Sequence, residues 1–128
     1  MRYWQFRDYL NEHGKNVFLS ELRGYPKTVR SAIHAHITQL EVTKELNRPS
    51  VGLLGRKCTG LIELRVKVNR TPYRPLAFRG PGDHEITLLA MAIERNYDLK
   101  PPDVCKTALE RKRKVLTIRG RTCEHEFA

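Results

Sequence analysis

The chain has 128 residues and a mass of 14.9 kDa, the size of one ordinary domain and too short for two independent cores. Hydrophobic residues make up 40% and charged residues 30%, with 24 Lys/Arg against 14 Asp/Glu and a net charge of +10. That composition excludes an acidic solvating protein and a fully disordered chain, and no stretch approaches the roughly 18 apolar residues of a membrane span. At the start, Arg2 and Arg7 flank Trp4 and Phe6, and Asp8 follows at once, which does not read as a secretory leader. Cys58, Cys105 and Cys123 are odd in number and widely spaced, and predict neither a paired framework nor a zinc site. Together these features predict a soluble, cytoplasmic single domain over residues 1–118, with a loose tail over 119–128.

The charge is uneven. Residues 47–80 carry eight Lys/Arg against the single acid Glu63, a balance of +7, whereas residues 81–100 carry two against four. A concentrated cationic surface attracts polyanions, nucleic acid above all; the plainer alternative is a solvated basic face.

In chain order, residues 2–10 are rich in aromatics and read as a first strand, which Gly14 ends. Asn16 can cap a short helix carrying Val17, Phe18, Leu19 and Leu22, stopped by Gly24. After Pro26, the spacing of Val29, Ile33, Ile37 and Leu40 predicts an amphipathic helix over 27–46, so the two helices form a hairpin. Pro49, Gly52, Gly55 and Gly60 mark residues 47–60 as loop, with room for a short strand at 56–58. Residues 61–68 alternate strictly, with Ile62, Leu64, Val66 and Val68 on one face and Glu63, Arg65 and Lys67 on the other. That pattern predicts a strand with one buried and one wet face. A turn over 69–72 leads into a returning strand at 73–79, where Pro75 demands an edge or a bulge. After the turn at 80–83, the apolar run 86–93 predicts a central strand. Pro101-Pro102-Asp103 then opens a last helix, with Val104, Ala108, Leu109, Val115 and Leu116 inward and the basic run 111–114 near its end. The expected fold is α+β: a small antiparallel sheet of about four strands, an N-terminal helical hairpin and a C-terminal helix.

This order, with Gly60-Leu-Ile-Glu-Leu-Arg65 opening the wet-faced strand, Tyr73-Arg74 opening the next and the apolar run 86–93 behind them, resembles the RelE/HigB superfamily of type II toxin-antitoxin toxins. The likeness, to the phage-derived HigB-like branch, covers roughly residues 2–118. It implies a RelE-like fold and a ribosome-dependent mRNA endonuclease that inhibits translation and needs neither metal nor cofactor. It also implies an antitoxin partner, often of helix-turn-helix type, beside the mRNA and ribosome. One departure stands out. The family usually follows its central strand with Gly-Phe and paired lysines, where this chain has Met91-Ala-Ile-Glu-Arg-Asn-Tyr97, so Glu94 subtracts charge where the family adds it.

Cutting RNA without a metal requires deprotonating a 2′-hydroxyl, stabilising charge on the phosphate and protonating the leaving oxygen. Arg65 could hold the phosphate through a bidentate fork, and Arg74 resembles the family's phosphate-binding arginine; for both, the alternative is an ordinary surface arginine. Glu63 could act as general base, but pairing with Arg65 or Lys67 on its own strand face is favoured. Arg95 and Tyr97 stand close to where the family keeps a cation and sometimes a tyrosine. Tyr97 could assist proton transfer, stack on a base, or be a half-buried strand-end aromatic. Lys57, Lys67, Tyr73, Arg79 and Lys100 are the further residues expected to touch RNA, and Lys57 is most simply a phosphate contact. His34 and His36, two apart on a helix, point roughly 200° apart and cannot share a metal. The competing function is a non-catalytic RNA- or protein-binding module of prophage origin, which Glu94 and the missing lysine pair favour.

Overall fold

The computed structural model describes residues 2–126 and shows an α+β fold with three helices and ten short strands in two sheets. The strands are β1 (Gln5–Tyr9), β2 (Val51–Leu53), β3 (Ile62–Leu64), β4 (Val66–Val68), β5 (Thr71–Tyr73), β6 (Leu76–Arg79), β7 (Glu85–Ala90), β8 (Ile93–Arg95), β9 (Asp98–Lys100) and β10 (Thr122–Glu124). The helices are α1 (Val17–Arg23), α2 (Lys27–Glu41) and α3 (Val104–Thr117). One sheet has six strands in the order β10-β1-β7-β6-β3-β2, the other four in the order β4-β5-β8-β9.

The expected small four-stranded antiparallel sheet is therefore incorrect. Each of the three central strands foreseen from the sequence, over 61–68, 73–79 and 86–93, is interrupted and reaches into both sheets. Arg65 separates β3 from β4, Arg74 and Pro75 separate β5 from β6, and Met91 and Ala92 separate β7 from β8. Proline supplies one cause, since Pro75 has no N–H to donate, and the ladder shifts register at Leu76/Ala77 beside it. The breaks align: the Leu64 amide donates to the Pro75 carbonyl at 2.9 Å, and the Arg74 amide to the Ala92 carbonyl at 2.8 Å. A further departure is β1, which pairs in parallel with β7, Phe6 beside Ile86. The first connection thus crosses over through α1 and α2.

Both faces of the six-stranded sheet are covered. Phe6, Ile62, Leu64, Ile86 and Leu88 pack with Phe18 of α1 and Ile33 and Ile37 of α2 on one face. Leu61, Leu76, Phe78 and Leu89 pack with Val104, Ala108 and Val115 of α3 on the other. Asn16 caps α1 by accepting from the Leu19 amide at 2.8 Å. Helix α2 ends at Glu41 rather than 46, where the Thr43 hydroxyl donates to the Gln39 carbonyl at 2.7 Å.

Two connections have no counterpart in the sequence reading. The tail was expected to be loose, yet β10 pairs with β1, Cys123 opposite Asp8; residues 127 and 128 lie outside the described residues. Behind that pairing a buried polar chain runs from Asp8, which is fully buried, to His125 Nδ1 at 2.7 Å, and from His125 Nε2 to His34 Nδ1 at 3.1 Å. The second is a disulfide between Cys58 and Cys105, with Cα atoms 5.1 Å apart. It corrects the view that the cysteines form no pair and removes their support for a reducing compartment. Among the described residues, no helix is long and apolar enough to cross a membrane.

Candidate functional site

The seam between the two sheets gathers charge. Ile62, Leu64 and Val66 all join the α1/α2 core, so Glu63, Arg65 and Lys67 share the opposite face. Tyr73 also packs against that core, which turns Arg74 to the same face as Glu63. The side chains meet there: Arg65 Nε donates to Glu63 Oε2 at 2.8 Å, Arg74 Nε lies 3.8 Å from Glu63 Oε1, and Arg74 Nη2 lies 3.6 Å from Glu94 Oε1.

Glu63 is not on a wet face. It is 5% exposed, flanked in the sheet by Gly52 of β2 and Leu76 of β6, with Arg65 and Arg74 on its carboxylate. Gly52 is what the Arg65 fork needs. A Cβ built there would stand 2.6 Å from Arg65 Nη2 and 2.9 Å from Cζ, so the guanidinium rests against bare backbone. Arg74 is the more enclosed arginine, with a side chain 13% exposed and an Nε that is buried and makes no hydrogen bond. Its Nη1 donates to the Tyr73 carbonyl at 3.3 Å.

Two guanidinium groups and two carboxylates thus form one alternating cluster, with the exposed Lys67 on the same face. Such a cluster can clamp and stabilise a phosphate through Arg65 and Arg74 once the carboxylates yield part of their hold. Glu63 is poorly placed to take a proton from a 2′-hydroxyl, because it is buried with one oxygen bonded to Arg65. Glu94, one-third exposed, is the carboxylate at the surface of the cluster.

The remaining residues singled out from the sequence stand elsewhere. Tyr73 faces the helices, its ring edge-on to Tyr25 at 5.5 Å; burial, then the Glu21 charge, then Tyr73 raise the Tyr25 pKa. Arg95 shares the Tyr73 face, because Tyr73 registers with Ile93 and Arg95 lies two residues on, opposite Asp98. Arg74 and Arg95 therefore do not converge on one phosphate. Arg79 ends β6 with its guanidinium 5.6 Å from the Trp4 ring centroid. Lys57, Tyr97 and Lys100 line a separate cleft beside the cluster. Sequence reasoning missed two members of the site. Glu94 was read as a lost lysine and not as the ion partner of Arg74, and no local signal marks Gly52 as the seat of an arginine.

The histidines and the remaining cysteine have other uses. His36 Nε2 pairs with the Ser50 carbonyl at 2.9 Å, and Asn16 Nδ2 donates to the Cys123 sulfur at 3.4 Å. Among the described residues, no group of three or more His, Cys, Asp or Glu side chains could hold a metal ion.

Comparison with curated proteins and with solved structures gives no significant match. The family model of the phage-derived Gp49-like proteins (DUF891) matches residues 20–113. That span runs from α1 into α3 and includes Gly52, Glu63, Arg65, Arg74 and Glu94. The chain belongs to the phage-derived Gp49-like family, a RelE/toxin-like family.

Proposed function

We propose that the protein is the toxin of a type II toxin-antitoxin system, of the HigB-like kind, and that it acts as a ribosome-dependent mRNA endonuclease inhibiting translation. Membership of the Gp49-like family supports the toxin class. The observation that carries the chemistry is Arg74: a largely enclosed guanidinium whose Nη2 meets the surface carboxylate of Glu94 only at 3.6 Å, beside the fork of Arg65 on a strongly basic segment. An arginine held this way has hydrogen-bonding capacity to give an anion, and a phosphate gaining charge in a transition state takes most from it. Lys67 and the cations of the neighbouring cleft would hold flanking phosphates. The antitoxin, in this reading, supplies acidic side chains to the basic face and blocks it. The test is induced expression in bacteria with mapping of mRNA ends. Growth arrest with new 5′ ends inside translated codons is the expected result; normal growth with intact mRNA overturns the reading.

A second reading has its own observation. Glu63 and Glu94 already neutralise the two arginines, which suits a module that binds RNA without cutting it. Growth arrest with uncut, ribosome-associated mRNA would select it.

A further inference from the structure

The 3-10 turn Arg56–Cys58 lies in the connection between β2 and β3, and Cys105 stands in the first turn of α3. The disulfide ties one to the other. The stretch it closes, residues 58–105, contains Glu63, Arg65, Arg74 and Glu94, the two carboxylates and two arginines of the cluster. Gly52, the seat of Arg65, lies shortly before the turn on β2, the last strand of its sheet, which pairs with β3. A sheet edge is held by one ladder and by whatever anchors its ends. The bond therefore steadies the strand on which the Arg65 guanidinium rests.

The bond is also placed for attack. Both cysteines line a cleft of about 480 Å3 between the turn, the β8–β9 hairpin and α3. Cys58 is the less enclosed of the two, 6% exposed against 2% for Cys105. Arg56, Lys57 and Lys100 border the cleft against Asp98, a cationic excess that draws in small anions. At the other end of the bond, Asp103 precedes α3 without a capping hydrogen bond from its side chain, and the first turn carries no acid. A thiolate released at Cys105 meets the positive end of a 14-residue helix, which stabilises it as a leaving group. A bond that served only as a staple would gain nothing from the cleft or the cations.

We propose that the Cys58–Cys105 bond is a reversible switch, opened by a small acidic thiol of the glutathione class and closed by the corresponding disulfide, that sets how firmly Gly52 seats Arg65. In the opening step the reagent's thiolate enters the cleft and attacks Cys58 Sγ. A mixed disulfide forms, the bond to Cys105 breaks, and the Cys105 thiolate takes a proton. A second thiolate then attacks the reagent's sulfur in the mixed disulfide. Cys58 leaves as a thiolate and is protonated, and two reagent molecules end joined by a disulfide. Two electrons pass to the cysteines, and that disulfide returns them to the closed form by the reverse steps. The closed form holds Arg65 in its seat; the open form frees the turn and slackens β2. The consequence for RNA rests on the toxin reading above, whereas the switch itself does not.

The experiment incubates the full chain, without denaturant, in mixtures of reduced and oxidised glutathione, then quenches it with acid, unfolds it and alkylates it for mass spectrometry. The closed form takes one alkyl group, on Cys123, and the open form takes three. The population should swing between the two, and back, as the mixture changes. Opening by glutathione should slow severalfold from low to high salt, while opening by neutral mercaptoethanol should not. In the open parent, protection of the Val51–Leu53 amides should fall by roughly tenfold or more, and RNA cleavage by about tenfold. Cys58→Ala/Cys105→Ala should match the open parent in every mixture, and Cys123→Ser should behave as the parent. A bond that stays closed in excess glutathione overturns the switch. So does equal β2 protection, or equal cleavage by an active protein, in the two forms. An equal salt response for both reagents overturns the choice of an acidic thiol. If β2 slackens on opening but neither form cuts RNA, the switch stands and the toxin reading falls.

Discussion

Glu94 Oε1 lies 3.6 Å from Arg74 Nη2, so the arginine best placed to receive a phosphate already faces an anion. Its other side faces Glu63, 3.8 Å from Nε. The two carboxylates differ in kind. Glu63 is buried and bonded to Arg65, and its removal would leave two enclosed cations facing each other. Glu94 is at the surface, where an ion pair is weak and a competing phosphate can displace it.

From this follows the behaviour of Glu94→Gln. A surface pair of this type is worth about 0.2–1 kcal/mol, so freeing Arg74 should tighten RNA or ribosome binding by about 1.4- to fivefold. Glu94→Lys should tighten it further and steepen its dependence on salt. Binding isotherms at two salt concentrations decide the matter. Weaker binding of Glu94→Gln would show that the carboxylate orients Arg74 and does not compete for it.

Arg65 and Arg74 share one face of the seam, and Arg95 stands on the other. Arg74→Lys and Arg65→Ala should therefore lower RNA cleavage by about 10²–10³, the usual cost of losing a charge-stabilising donor, and lift growth arrest. Arg95→Ala should keep most of the toxicity. Arg111 is no neutral control for these variants. Its Nη1 donates to Glu21 Oε2 at 2.7 Å and to the Leu89 carbonyl at 2.8 Å, so its loss would damage the fold. The exposed Arg119 serves instead. Equal toxicity of the parent, Arg74→Lys and Arg65→Ala would remove the cluster from the mechanism.

The helices and the one-sided apolar rhythm of Ile62, Leu64 and Val66 were legible because period and capping residues are local. So was the presence of arginines on the opposite face. The double sheet was not, since Arg65 and Met91-Ala92 interrupt runs that read as continuous, and only Pro75 announced its break. The parallel pairing of β1 with β7 joins residues some eighty positions apart, and the disulfide joins residues separated by 47 positions. Neither leaves a mark in a local window. Burial of Glu63 escaped for the same reason: its sheet neighbours are Gly52 and Leu76, both distant in sequence, whereas strand alternation alone assigns that face to water.

Gly52→Ala tests the seat of Arg65 directly. The added methyl would meet the guanidinium at 2.6 Å, and the fork must swing away from Glu63. The loss should appear as cleavage reduced by at least about tenfold at little cost in stability, because the part-exposed Arg65 side chain can yield to the methyl. Urea unfolding and cleavage assays read the two separately. Full activity in Gly52→Ala would mean that Arg65 reaches its substrate from another rotamer.

The buried chain Asp8–His125–His34 predicts how the C-terminal strand responds to acid. Burial first, and then the neighbouring His125, lower the His34 pKa to about 4, against a partial offset from Asp8. An unfolded histidine titrates near 6.5, so between about pH 6.5 and pH 4 the unfolded chain binds a proton that the folded chain refuses. The stability tied to His34 is thus complete above pH 6.5 and falls as pH drops toward 4, by roughly 1–3 kcal/mol. A charge on His34 would sit in a buried site against the His125 ring 3.1 Å away, and β10, which carries His125 beside it, is the element this would loosen first. Urea unfolding of the parent at pH 7.5 and 5.5, where most carboxylates stay ionised, should show lower stability at the acid value. His34→Leu should be less stable at pH 7.5 but much flatter across that interval. Protection factors of the Thr122–Glu124 amides, with the intrinsic pH dependence of exchange divided out, should fall with the same pH dependence in the parent. An unchanged slope in His34→Leu would assign the acid sensitivity to other groups and leave the histidine pair as simple packing.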